Sequence, residues 1–154
     1  MSSTDSGPVH IYGKQTIDHI TCDDILEAFK LPVEDIVPYI TKKVHSVNRN
    51  TNIYMTPVSA LHEKVYVVQV INNKKKWNAI SLTQVCLDSY QQTLNIIYKL
   101  DDQLTAQKDK WDKDDNSDMI HEKMYTLQDM VSGNFNRVAK DAMIKVLIGF
   151  RKPS

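Results

Sequence analysis

The stretch Val65-Tyr66-Val67-Val68-Gln69-Val70-Ile71, followed by Asn72-Asn73-Lys74-Lys75-Lys76 and then Trp77-Asn78-Ala79-Ile80, decides the fold class. Four valines and an isoleucine in seven positions favour extended backbone, because β-branched side chains crowd a helix and pack well on a pleated surface. The asparagine pair tolerates the positive φ angles of a tight turn, so the two runs read as a β-hairpin with lysines at its tip and adjoining edge. On both sides of this hairpin the apolar spacing is helical. The expected class is therefore α+β: a small N-terminal hairpin, two short helices and the basic β-hairpin, then a mostly helical C-terminal half with one long helix.

Working upstream, Ile53-Tyr54-Met55 reads as a brief strand. Thr56-Pro57 supplies a cap and a proline at the first helical position, opening a short helix through Ala60 and Leu61. Asn48-Arg49-Asn50-Thr51-Asn52 is a turn cluster. Before it, Val33, Ile36, Val37, Ile40 and Val44 recur at spacings of three and four, a single buried helical stripe. Pro32 serves as the first residue of that helix, and Pro38 inside it should kink it or delay its start. Thr21 with Asp24 resembles a capping box, Asp standing for the usual Glu, for a helix through Ile25, Leu26 and Phe29 to about Lys30. Val9–Tyr12 and Gln15–Ile20, joined by Gly13-Lys14, alternate apolar residues and suggest a short hairpin. Residues 1–8 read as a loose tail.

Downstream, Leu87, Tyr90, Leu94, Ile97 and Leu104 fall on spacings that place them on one face of a helix from about Leu82 to Ala106, with Asp101 interrupting the seam. Val85, Ile96 and Leu100 widen that face beyond a coiled-coil stripe. Lys108 to Asp118 is too charged to pack and reads as a loop. Met119, Met124, Leu127, Met130 and Val131 imply a further helix stopped by Gly133. Phe135, Val138, Ala142, Ile144, Val146, Leu147 and Ile148 imply a last one ending near Gly149. Residues 9–80 and 81–154 are expected to form one continuous domain, consistent with a length of 154 residues.

Composition excludes several classes. Apolar residues make up 42% and charged residues 25%, a globular rather than a disordered chain. Nineteen basic and nineteen acidic side chains cancel, which argues against a uniformly basic coat. The longest apolar stretches, Val65–Ile71 and Met143–Phe150, fall far short of the ~20 residues of a membrane span. The polar start MSSTDSGP lacks a secretory h-region, so an intracellular protein, cytoplasmic or nuclear, is expected. Cys22 and Cys86 lie far apart without a CxxC and read as buried small hydrophobes.

No pattern names a reaction. His10, His19, His45, His62 and His121 are scattered, with no HExxH and no paired-histidine spacing, so no metal is expected. There is no G-x-S-x-G elbow. Gly7, Gly13, Gly133 and Gly149 are too dispersed for a phosphate-cradling loop or a dinucleotide fingerprint. Asp23-Asp24 and Glu34-Asp35 suit the first turns of helices, where the dipole favours negative charge. A non-enzymatic binding protein without cofactor is the expectation.

Charge distribution says more than charge total. Met1 to Thr41 carries two basic and seven acidic residues, net −5; Lys42 to Lys76 carries seven basic residues against Glu63 alone, net +6. Asp88 to Asp118 is net −4 and Gly133 to Ser154 net +4. The +6 block joins the end of a helix, a loop and a hairpin with a basic turn. Those are the parts a winged-helix-like reader presents to phosphates. Lys42, Lys43, Arg49, Lys74, Lys75 and Lys76 are thus the candidate nucleic-acid contacts. Two plainer readings stand beside this one: cations favour helix C-termini, and a lysine edge deters edge-to-edge aggregation.

The order in Ile20 to Leu61, ITCDDILEAFKL, PVEDIVPYITKKVH and NTNIYMTPVSALHEK, resembles that of the viral Bro-N, KilA-N and MSV199-type DNA-binding domains of large DNA viruses. In those domains a first helix, a second helix ending in basic residues and a short strand leading into another helix precede a hairpin. The resemblance implies a small DNA-binding module joined to a helical tail, here Leu82 onward. Lys30-Leu31-Pro32 replaces the glycine-containing turn usual between the first two helices. Sixteen lysines to three arginines, with ten asparagines, suit an A+T-rich genome. The alternative is a structural or protein–protein interaction protein. In it Leu87, Tyr90, Leu94, Ile97 and Leu104 would pair with a second copy or a partner groove rather than with the final helices of the same chain.

Overall fold

In the computed structural model the described residues are 9–106, 117–131 and 136–150. The expected tail 1–8, most of the expected loop 108–118, and Gly133 and Phe135 lie outside them.

The hairpin forms as read. Strands β1 (Ile53–Tyr54), β2 (Lys64–Ile71) and β3 (Lys74–Ser81) make an antiparallel sheet in the order β1-β2-β3. The β2–β3 register runs from Lys64 opposite Ser81 to Ile71 opposite Lys74, leaving a two-residue loop. Asn72 and Asn73 both take positive φ, +54° and +65°, the pair of left-handed residues that a type I′ turn requires. Val65, Val67 and Ile53 on one face are buried.

Helices fill that face. Helix α1 (Cys22–Phe29) opens on the Thr21/Asp24 capping box: the Asp24 amide donates to Thr21 Oγ1 at 3.3 Å and the Thr21 amide to Asp24 Oδ2 at 2.9 Å. Helix α2 (Val33–Val44) begins directly after Pro32, which occupies the cap rather than the first helical position. Pro38 does not delay its start; it is buried inside the helix and forfeits one ladder bond. Helix α3 (Pro57–Leu61) is capped by Thr56 and Ser59 reciprocally, a 3₁₀ turn covers Asn48–Asn50, and α4 (Leu82–Lys99) starts where Ser81 leaves the sheet.

The long helix expected through Ala106 breaks at Leu100. The Leu100 amide closes onto the Ile96 carbonyl, and α5 (Asp101–Ala106) starts afresh with Asp101 and Asp102 in its first turn, where negative charge is favoured. Leu100 and Leu104 stay buried on either side of the break, so the apolar face outlives the backbone discontinuity. Helices α6 (Ser117–Val131) and α7 (Arg137–Gly149) complete the chain, α7 capped by Asn136.

The expected hairpin over Val9–Ile20 is absent. These residues form no strand, and their backbone groups find partners elsewhere. The His10 amide donates to the Arg49 carbonyl (2.7 Å) and the Tyr12 amide to the Val68 carbonyl (2.8 Å), while Thr16 exchanges bonds with the Asn50 side chain. Gly13, at φ +94°, turns the chain between these contacts. Alternation marked a half-buried extended segment correctly; it carries no information about which edge that segment pairs with.

One apolar cluster joins all of this: Ile25, Ile36, Ile40, Val65, Leu82, Tyr90, Met143 and Leu147 belong to the same core. The described residues on either side of position 81 therefore share a single interior.

Candidate nucleic-acid interface

Side chains alternate across a strand, so the register sorts the sheet into two faces. Opposite the core-facing residues lie Lys64, Tyr66, Val68 and Val70 of β2, Lys75, Trp77 and Ala79 of β3, and Tyr54 of β1. Tyr54 and Tyr66 face each other across the ladder with stacked rings, centroids 5.0 Å apart. Trp77 meets Tyr54 edge-on at 4.9 Å. All three rings are half-buried; Val68, opposite Trp77, is buried, and Val70 further along the strand is 51% exposed. Burial and the neighbouring Tyr66 raise the Tyr54 phenol above its ordinary value.

The candidate cations divide. Lys75 lies on the aromatic face and donates to the Val9 carbonyl at 2.7 Å, reaching across β2 to the N-terminal segment. Arg49, whose carbonyl holds the His10 amide, approaches the same place. The His10 imidazole titrates below its ordinary value because of burial and because the charges of Arg49 and Lys75 both bear on it. Lys74 and Lys76 are exposed and belong to the opposite face, across from Ile71 and Gln69. Lys43 is directed elsewhere: its ammonium lies 3.7 Å from Asp24 and 5.5 Å from the centre of the Tyr39 ring. Lys42 is exposed on α2. Of the six residues read from sequence, Lys75 lies on the aromatic face against Val9, Arg49 holds the His10 amide through its carbonyl, Lys74 and Lys76 lie on the reverse of the ribbon, Lys42 is exposed on α2, and Lys43 lies toward the first turn of α1.

Sequence reasoning did not single out Tyr54, Tyr66, Trp77, His10 or Lys64. A signal for Tyr66 and Trp77 was present. A two-residue turn at Asn72-Asn73 pairs even positions of β2 with odd positions of β3, which sets those rings on one face.

The helical stripe offers little to a second copy. Tyr90, Leu94, Ile97 and Leu104 are buried in this chain's own core and only Leu87 is half-exposed. Another copy reaches the four buried ones only by opening the fold.

A separate cleft of about 510 Å³ lies between the N-terminal segment and α4. Hydroxyl and amide side chains line it, among them Tyr12, Gln15, Ser89 and Gln92, together with Ile17 and His45. Its carboxylate, Asp88, accepts from Tyr12 OH at 2.9 Å and from Gln84 Nε2 at 2.8 Å. Both cysteines are buried and unpaired with each other, and burial pushes the Cys86 thiol up to about 11, away from reactivity. Among the described residues no group of three His, Cys, Asp or Glu side chains is placed to hold a metal ion, and no helix is long and apolar enough to cross a membrane. Comparison with family models, with curated proteins and with solved structures finds no match to this chain.

Proposed function

We propose that this chain is a non-enzymatic nucleic-acid-binding module that contacts phosphates through its β2–β3 hairpin. One observation carries the reading: residues 64–81 hold four lysines and no acidic residue, and the Lys75 end of that ribbon reaches Val9, beside the His10 amide that the Arg49 carbonyl holds. The nearest acid in sequence, Glu63, is already engaged by Lys140 at 3.3 Å and Arg137 at 3.9 Å, so it does not cancel the field of the hairpin. A one-sign field of this kind attracts a polyanion, and counterion release makes the attraction salt-dependent. The resemblance of residues 20–61 to viral DNA-binding domains points the same way, and a viral, intracellular setting is part of this proposal. A protein-interaction role through the α4 stripe has weaker support, since that stripe packs within the chain.

The test is titration of labelled DNA and RNA with the wild-type chain and with Lys74→Ala/Lys75→Ala/Lys76→Ala over a range of salt. Removing one lysine–phosphate pair lowers the log–log salt slope by about 0.9 on duplex and about 0.7 on single strands, so the slope for the triple variant should be shallower by roughly 2 to 3 where all three lysines meet phosphate and by about 0.7 where only Lys75 faces a single strand. Absence of wild-type retention on any nucleic acid at low salt ends the proposal.

A further inference from the structure

We infer that the nucleic acid taken by this chain is single-stranded, with bases stacked on the outer face of the sheet over Tyr54, Tyr66 and Trp77. The inference rests on the nucleic-acid reading above and narrows it.

Gripping a duplex as a wing asks for lysines aligned along one edge beside a basic helix. Here Lys75 and the pair Lys74/Lys76 lie on opposite faces of the ribbon, and Lys43 is held toward Asp24. A single strand asks for something else: a flat aromatic platform with cations along it. The outer face supplies a ring cluster of this kind, with Tyr54 and Tyr66 stacked and Trp77 edge-on beside them. Three rings lie together, only half-buried, while the core occupies the reverse face with Val65, Val67 and Ile53. Lys64 and Lys75 stand at the two ends of this same face. Lys75 lies opposite Val70, six positions along β2 from Lys64, which is roughly 20 Å of strand. That length suits two or three stacked nucleotides, the number that sheet platforms of this kind take. No carboxylate occurs in β1, β2 or β3 to repel the backbone. Charge complementarity and a half-exposed ring cluster thus select one occupant, a sequence-tolerant single strand.

Fluorescence anisotropy with a labelled oligothymidine and with a mixed-sequence duplex tests this, using the wild-type chain, Tyr66→Leu, Trp77→Leu and Tyr66→Phe. Single strands should bind more tightly than duplex. Each leucine variant should bind the single strand roughly 5- to 100-fold more weakly, and Tyr66→Phe should retain binding because the ring remains. In a Trp111→Phe chain, which leaves Trp77 as the sole indole, oligothymidine should quench the emission. Four results overturn the inference: folded leucine variants that bind single strands as wild type does; no quenching of Trp77 at saturation; duplex binding that is tighter and depends only on Lys74–Lys76; or ring variants that change solution mass without changing oligonucleotide affinity, which assigns the face to a second copy. The third leaves the broader nucleic-acid reading intact. Failure of every nucleic acid to bind removes both.

Discussion

The His45 imidazole donates from Nδ1 to the Asn50 carbonyl across 2.6 Å, inside the protein, where His45 is 4% exposed. A carbonyl can only accept, so Nδ1 carries the proton and Nε2 is the basic nitrogen. The bond ties the end of α2 to the turn that leads into β1. Asn50, itself buried, extends the tie through its side-chain amide to the Thr16 and Val44 carbonyls.

This arrangement makes stability depend on acid. Burial is the main cause that lowers His45 from 6.5 to about 4, opposed by its bonds to Asn50 and Asn52 and assisted by the charge of His19. Above pH 6.5 the group is neutral in both states and its contribution is fully present. Below 6.5 the unfolded chain takes up a proton that the native chain refuses, so stability falls until pH reaches about 4. The decrease attributable to this group is roughly 3 kcal/mol. Urea midpoints measured across that window should fall with pH in the wild-type chain and fall less in His45→Gln. Equal slopes for the two would assign the acid sensitivity elsewhere.

Leu147 tests whether the two halves share one interior. Its side chain on α7 is fully buried, and its carbonyl accepts from the Met55 amide at 3.3 Å just after β1. Leu147→Ala should cost about 2–5 kcal/mol through weakened packing and a residual cavity. In a Trp111→Phe background, helical circular dichroism and the fluorescence of Trp77 should shift together to a lower urea midpoint. A sheet signal that keeps its midpoint while helicity disappears would show two independent units.

Tyr12 fastens the N-terminal segment at both ends of its residue: the phenol to Asp88, the amide to the Val68 carbonyl. The site is only partly buried, so water can replace the missing hydroxyl and Tyr12→Phe should cost about 1 kcal/mol or less. The local effect is the sharper readout. Hydrogen exchange at the amide of residue 12 should accelerate roughly 5-fold while the amides of β2 hold. Unchanged exchange would mean that the phenol does not secure the segment.

The turn at the hairpin tip depends on asparagine at positive φ. Asn73→Ala places a residue without the short amide in the left-handed region and should destabilise by about 1 kcal/mol, whereas Asn73→Gly should be tolerated. Paired denaturation curves decide it: equal stability of the two variants would show that backbone strain is not what asparagine relieves there.

Much of the local architecture was written in short windows of sequence. Thr21 with Asp24, Thr56 with Pro57, and Asn72 with Asn73 each act on backbone groups within three residues, so their effect needs no knowledge of the rest of the chain. The stripe through Val33 and Val44 and the β-branched run Val65–Ile71 likewise announce their own periods, and the α+β class follows from them. Where partners are distant, the same rules fall silent. Alternation from Val9 to Ile20 described an extended chain, but its hydrogen bonds go to Arg49, Asn50 and Val68, and only the folded molecule brings those together. The apolar face of α4 and α5 runs on smoothly past Leu100, where the backbone breaks.

The candidate site divides on the same line. Sequence determined that residues 42–76 are basic and that a lysine-tipped hairpin lies at their end. Tertiary structure decided which of those lysines share a face, that Lys43 lies toward Asp24, and that the N-terminal segment is held by the Arg49 carbonyl at His10 and by Lys75 at Val9. It also assembled Tyr54, Tyr66 and Trp77 from three strands into one surface. The reason is geometric. Charge and propensity belong to residues, whereas a face belongs to a register, and the β1–β2 register exists only once the chain has closed on itself.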